Sequence, residues 1–262
     1  GGIKRSAFEP SLNLGTRVAD WQVHAFLGVG GMGEVYAVKR EGDGFTQSGA
    51  LKIGPLDPVE QARLFNERFL LAKLEHPNIP RLIDGGTDPH AGAFIVMELV
   101  DGKPLLEALR GCDLKERLID MIDLISAVAH AHAKLIVHRD IKPSNILIDE
   151  QGRLRLIDFG VGLDFETEPT DFSSPSTPGY AAPEQRLGGT VTVAADIYAL
   201  GRVLLDLSEM DEPGRPLRRP VPSDLGAIIS KATAQNPSKR YESADALADD
   251  IRRFLNGQAG SS

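Results

Sequence analysis

Residues 27–38 read LGVGGMGEVYAV, and no other stretch constrains the fold as much. Gly28, Gly30 and Gly33 stand at G-x-G-x-x-G spacing. Glycine allows tight bends and lets backbone N–H groups close on a phosphate. The glycines run into EVYAVK, residues 34–39, a β-favouring run rather than a helix. That excludes two phosphate-binding architectures. A dinucleotide fold needs a helix after the glycines and an acid about 20 positions on, and no acid lies from Phe45 to Leu56. A Walker loop ends in Gly-Lys-Ser/Thr, whereas Gly33 is followed by Glu34. A hairpin laid over phosphates and a plain hairpin turn remain, and the loop alone does not separate them.

The surrounding pattern predicts strands at 21–28, 34–39 and 49–53, then a helix from Pro58 to Glu75 with Leu64, Glu67, Leu71 and Leu74 on one face. Strand-like runs follow at IPRLIDGG (79–86) and AFIVMELV (93–100). Beyond DGKP (101–104) the chain turns helical, with helices expected at 114–134, 192–209, 223–234 and 243–256. Ser243 is the expected N-cap of the last. ILID (146–149) and LRLID (154–158) form a short strand pair around the turn Glu150–Gly152. The expected fold is therefore α+β, a small β-rich lobe before a larger helical one.

Residues 138–147 read HRDIKPSNIL and residues 158–160 read DFG. With the glycine loop, GALK (49–52) and AAPE (181–184), they make the chain resemble a bacterial eukaryotic-like (Hanks-type) Ser/Thr protein kinase catalytic domain. The resemblance spans about residues 20–256 and its motifs occur in the family's order. It implies a two-lobed fold: a tail at 1–18, a small antiparallel β lobe with one helix at 19–98, a hinge at 99–103, a mainly helical lobe at 104–256 and a tail at 257–262. It also implies transfer of the γ-phosphoryl of ATP to protein Ser or Thr hydroxyls with Mg²⁺, or Mn²⁺ in its place.

The residue chemistry agrees. Asp158 and Asn145 are oxygen donors suited to a hard divalent cation. Asp140, five residues before Asn145, can orient or deprotonate a hydroxyl. Lys142 can neutralise the moving phosphoryl, and in the family a lysine there marks Ser/Thr specificity. Lys52 lies in an apolar strand, where an unpaired ammonium is costly, and Glu67 is its expected ion-pair partner. By resemblance, Leu27, Val35, Ala50 and Leu147 line the adenine slot, and Met97 is the gatekeeper. Backbone from Glu98 to Val100 forms the hinge contacts, and Gly28, Gly30, Gly31 and Gly33 cover the phosphates. Glu184 should pair with Arg240, and Asp196 should brace the catalytic loop. Leu71, His138 and Phe159 should stack between the lobes. His130 and His132, two apart on a helix, are read as ordinary.

Arg139 precedes the catalytic Asp, which in relatives accompanies a phosphate on the activation segment. Thr170 and Ser173 are the leading candidates for autophosphorylation, and Thr177 matches a family threonine that contacts the catalytic loop. One departure stands out. Between DIYALG and NPSKRY the chain is about 20 residues shorter than the family pattern, on a stretch that normally holds a helix of about three turns. An altered docking surface used for self-association is the expectation.

Composition bounds the rest. The formal net charge of −8 argues against a nucleic-acid partner. The lone cysteine, Cys112, allows no internal disulfide and fits a reducing cytoplasm. No apolar run is long enough to span a membrane, though a longer chain could carry an anchor elsewhere. Two rivals remain at this level: a nucleotide-binding pseudokinase scaffold, and a small-molecule phosphotransferase of kindred fold.

Overall fold

The computed structural model describes residues 9–30, 33–158, 179–211 and 220–259. The chain divides into two compact units, Gly1–Phe69 with Arg81–Leu99, and Leu70–Pro80 with Val100–Ser262.

The first unit is an antiparallel sheet with one helix. Its strands are β1 (Arg17–Val18), β2 (Trp21–Gly30), β3 (Gly33–Gly42), β4 (Phe45–Ile53), β5 (Leu82–Asp88) and β6 (Gly92–Met97), in spatial order β1-β2-β3-β4-β6-β5. Helix α1 (Pro58–Leu71) follows β4. The register sorts the side chains by face, because residues directly opposite in adjacent strands share a side. Tyr36 opposes Leu51, which opposes Val96. These three pack with Trp21, Val23, Val38 and Phe94 into a buried cluster. The alternate positions form the other face: Val35 opposes Lys52, and Ala50 opposes both Ala37 and Met97.

The second unit is mainly helical. β7 (Gly102–Pro104) and α2 (Leu105–Ala108) lead into α3 (Leu114–Ala133). An Asp113–Glu116 capping box starts α3, with Asp113 Oδ1 accepting from the Glu116 N–H at 2.8 Å and Glu116 Oε2 from the Asp113 N–H at 2.9 Å. A Schellman turn ends it: the Ile136 N–H donates to Ala131 O and the Leu135 N–H to His132 O, both at 2.9 Å. Leu135 occupies the left-handed position, φ 62°, where glycine is usual. β8 (Ile146–Asp149) and β9 (Leu154–Leu156) complete a three-stranded sheet with β7.

The remaining helices are α4 (Pro183–Arg186), α5 (Val193–Glu209), α6 (Ser223–Ala232) and α7 (Ala244–Ala259). α3 packs against α5 and α7, burying Leu118, Met121, Ile125, Val128, Leu200, Val203, Leu204, Leu247 and Ile251. Ser243 caps α7 as expected, its Oγ accepting from the Ala246 N–H at 3.1 Å. Among the described residues no helix is long and apolar enough to cross a membrane.

Two expectations need correction. The helix expected to reach Glu75 stops at Leu71. The chain then tightens into i→i+3 turns, Lys73 N–H to Leu70 O and Leu74 N–H to Leu71 O. The second unit holds this stretch: Asn78 Nδ2 donates to Leu154 O at 2.8 Å, and the Leu156 N–H donates to Asn78 O at 2.7 Å. β7 and the short β1 were not anticipated, since strands of two or three residues leave too little periodicity to read.

Candidate active site

In the first unit the glycine-rich stretch is the β2–β3 hairpin, with Gly28 opposite Val35 and Gly30 opposite Gly33. Gly28 has φ 145°, a conformation costly for other residues. At Gly33 the requirement is space: a Cβ would lie 2.3 Å from the Ile53 carbonyl oxygen and 3.2 Å from Lys52 Cε. This glycine lets the hairpin approach the lysine strand. Gly31 lies outside the described residues.

Lys52 is buried, and its Nζ sits 3.2 Å from Glu67 Oε1 and 3.5 Å from Oε2. The pair joins β4 to α1. Val35, Ala50 and Met97 share the Lys52 face of the sheet, and none of the three is fully buried, in contrast to the Trp21 cluster on the opposite face. Leu27 is half exposed. The Glu98 N–H donates to Arg81 O at 2.8 Å, fixing the chain just after β6.

In the second unit the 138–145 loop is built around Asp196, near the start of α5. Asp196 is 1% exposed and accepts from the His138 N–H and the Arg139 N–H, each at 2.9 Å. His132 Nε2 lies 2.7 Å from the same carboxylate. Burial pushes the Asp196 pKa up, but the His132 hydrogen bond and the charges and N–H groups around it prevail and hold it below the usual range. His138 is fully buried; its Nδ1 accepts from the Asp140 N–H at 3.1 Å and its Nε2 reaches Ile157 O at 3.1 Å. The ring therefore ties Asp140 to the residue preceding Asp158.

Three polar side chains, Asp140, Lys142 and Asn145, meet on this support. Asp140 Oδ2 lies 3.4 Å from Lys142 Nζ and 3.3 Å from Asn145 Nδ2. Asn145 Nδ2 also donates to Asp140 O at 2.8 Å, which commits the amide nitrogen and turns Oδ1 the other way. The Ile157 N–H donates to Asn145 O at 2.9 Å, tethering Asp158 to the same loop. Arg139 and Asp158 are both non-glycine residues in the left-handed region, φ 74° and 64°. Such strain persists only where the surroundings over-determine it, and it concentrates at functional sites. Leu147, on β8, is half-buried.

Arg240, 3% exposed, makes a bidentate pair with Glu184, Nη1–Oε1 at 2.6 Å and Nη2–Oε2 at 2.9 Å. Burial raises the Glu184 pKa, but Arg240 outweighs it and holds the carboxyl low. Gln185 Nε2 donates to Arg139 O at 3.0 Å, linking α4 to the 138–145 loop. The structure buries Leu71 and His138. Phe159, Thr170, Ser173 and Thr177 lie outside the described residues.

A model of the protein kinase domain matches residues 21–255. The chain belongs to the protein kinase family. This kinase domain is 35% identical to the serine/threonine-protein kinase PrkC of Bacillus subtilis over 269 residues, covering 91% of this chain and 41% of that protein. It is 30% identical to PknA of Mycobacterium tuberculosis, covering 91% of this chain and 62% of PknA. The chain thus spans less than two thirds of these relatives. Among solved structures it resembles the Mycobacterium tuberculosis PknI kinase domain, a double mutant, with a TM-score of 0.69 and 27% identity over 93% of this chain and 99% of that one. The two-lobed kinase fold expected from the sequence is the one observed.

Sequence reasoning missed His132 and Gln185 of this kinase domain. The sequence marks His132 as ordinary, yet it is a side-chain partner of the buried Asp196. A signal was present: His132 continues the buried α3 stripe Leu118, Met121, Ile125, Val128, and an imidazole there needs a polar partner. Nothing marked Gln185, because a glutamine in a one-turn helix carries no periodic signal.

Proposed function

We propose that this domain transfers the γ-phosphoryl group of ATP to Ser and Thr hydroxyls of proteins, its own included. The observation that carries this reading is the convergence of Asp140, Lys142 and Asn145 on a backbone pinned by Asp196. Asp140 accepts the proton of the attacking hydroxyl as its oxygen bonds to the γ-phosphorus and the bond to the β-phosphate oxygen breaks, releasing ADP. Lys142, 3.4 Å from the Asp140 carboxylate, neutralises charge on the transferring group. Lys52, steadied by Glu67, takes the α- and β-phosphates under the glycine hairpin. Leu27, Val35, Ala50, Met97 and Leu147 receive the base, with the backbone of Glu98 to Val100.

Members of this family use ATP with a divalent metal. The residues present fit Mg²⁺: the Asp158 carboxylate and Asn145 Oδ1 are hard oxygen donors, and Mg²⁺ is usually held by one or two carboxylates together with phosphates. Among the described residues no group of three or more His, Cys, Asp or Glu side chains is placed to hold a metal ion. When bound, it would neutralise phosphate charge.

Autophosphorylation is part of the proposal. The Nε of Arg139 is buried with no hydrogen-bond partner among the described residues, and burial lowers the Arg139 pKa against the opposing pull of Asp196. A guanidinium so placed suits a phosphate on Thr170 or Ser173. We also place the domain in the cytoplasm, consistent with its single cysteine. Incubation with Mg-ATP and a generic protein substrate tests the reading: phosphoserine and phosphothreonine should form, and Asp140→Asn should lower turnover by about 10³-fold. Undiminished transfer by Asp140→Asn would remove Asp140 from its role.

A further inference from the structure

Helix α1 buries Leu64 and Glu67, yet its outward side is not the polar surface such a helix normally presents. Phe65 and Phe69 are 44% and 53% exposed, one turn apart, with ring centroids 5.3 Å apart at 71°. Val59 and Leu56, at the start of the helix, are each 66% exposed. Arg68 lies over both rings, its guanidinium carbon 4.8 Å from the Phe65 centroid and 5.1 Å from that of Phe69. Its stem rests on β5 at Gly85, where a Cβ would lie 2.4 Å from Arg68 Cδ. The guanidinium is therefore held in place, but among the described residues it has no carboxylate partner. The other charges of α1 are spent internally, Arg63 on Glu60 at 3.3 Å and Glu67 on Lys52. A fixed, unneutralised arginine between two exposed aromatic rings is the composition of an interface hot spot.

We propose that this face binds a second copy of the chain through its acidic, aromatic-bearing stretch 164–172, DFETEPTDF. Charge and apolar chemistry select this occupant. The stretch carries four carboxylates, Asp164, Glu166, Glu168 and Asp171, two phenylalanines and no Lys or Arg, and no other nine-residue window of the sequence combines these features. The chain as a whole is at −8, so two copies repel except where the sign reverses, as it does at Arg68. Carboxylates answer the guanidinium by charge-assisted hydrogen bonds, and Phe165 or Phe172 supplies a third ring for the Phe65–Phe69 pair. The stretch lies outside the described residues. It contains Thr167 and Thr170, so docking couples association to the segment in which modification is proposed.

The test is fluorescence anisotropy of a labelled peptide of residues 161–174 titrated with the whole chain. Saturable binding is expected, weakened at least about ten-fold by Arg68→Gln and by the Phe65→Ala/Phe69→Ala double variant. A peptide with its four acids replaced by the corresponding amides should bind at least about ten-fold more weakly to the unaltered chain, an arm independent of any variant's folding. Sedimentation should show dimer rising with concentration, and Arg68→Gln should abolish the rise. Absent peptide binding, equal binding of the neutral peptide, or a chain that stays monomeric throughout would each overturn the proposal. The readout needs no turnover, so its failure leaves the phosphoryl-transfer reading intact.

Discussion

Leu135 shows how much one backbone angle decides. It closes α3 at φ 62° with its side chain 70% exposed, so it is strained and contributes little packing. Leu135→Gly should stabilise the domain by about 1 kcal/mol, because the left-handed penalty exceeds the entropy glycine loses. Thermal melting should show a rise of about 3 °C, and a fall would mean that Leu135 makes a contact glycine cannot replace. Asp120 on α3 carries a different penalty. Burial first, then the charges of Asp123 and Glu116, push its pKa up to about 6. A carboxyl raised in the folded state destabilises it at high pH, where it must ionise, and costs nothing once protonated in both states. Asp120→Asn should therefore stabilise by about 1 kcal/mol at pH 8, after allowance for solvent screening of a half-buried group. Denaturant titrations should show that gain fading between about pH 6 and pH 4. A gain that persists at acid pH would contradict the account. At this scale Lys52 and Glu67 were legible because a charge in an apolar setting announces a partner; His132 was not, since its partner lies 64 residues away.

Elements were legible where period and cap coincide. α3 and α7 stood out because Asp113 and Ser243 precede long apolar stripes, and both caps form. The apolar pattern overruns the end of α1 by four residues, because Leu74 continues its stripe while the backbone leaves it to meet β9 through Asn78. That contact is tertiary and has no local signature. The same holds for the join of α4 to the segment before α7, made by Glu184 and Arg240. Glu184→Gln would leave a buried guanidinium without its carboxylate, keeping one acceptor oxygen and no neutralising charge, and should cost about 3 kcal/mol. Chemical denaturation should register the loss as a lower midpoint, and an unchanged midpoint would show that the carbonyls of Ala234 and Ala194 suffice for Arg240. Glu67→Gln should act differently, reducing turnover by freeing Lys52 while leaving the second unit's stability unchanged.

For the whole molecule, the motif order fixed family and fold, since five short motifs in sequence are more specific than any one glycine loop. The hairpin could not answer alone whether it covers a nucleotide; Gly33 now has a spatial reason, and the Lys52–Glu67 pair beneath it a chemical one. What the sequence left illegible is the exposed face of α1, because an exposed aromatic pair on a helix looks the same in a string of letters as a buried one. The shortened stretch before α6 lies largely outside the described residues, and its expected consequence for docking stands apart from the α1 face. The central claim is that this domain carries out phosphoryl transfer. Intact-mass analysis after incubation with Mg-ATP, run beside Asp158→Asn, tests it most directly. Whole phosphate increments on the unaltered chain and none on Asp158→Asn are predicted. A chain that binds ATP yet phosphorylates neither itself nor a co-incubated Ser/Thr protein would contradict the claim.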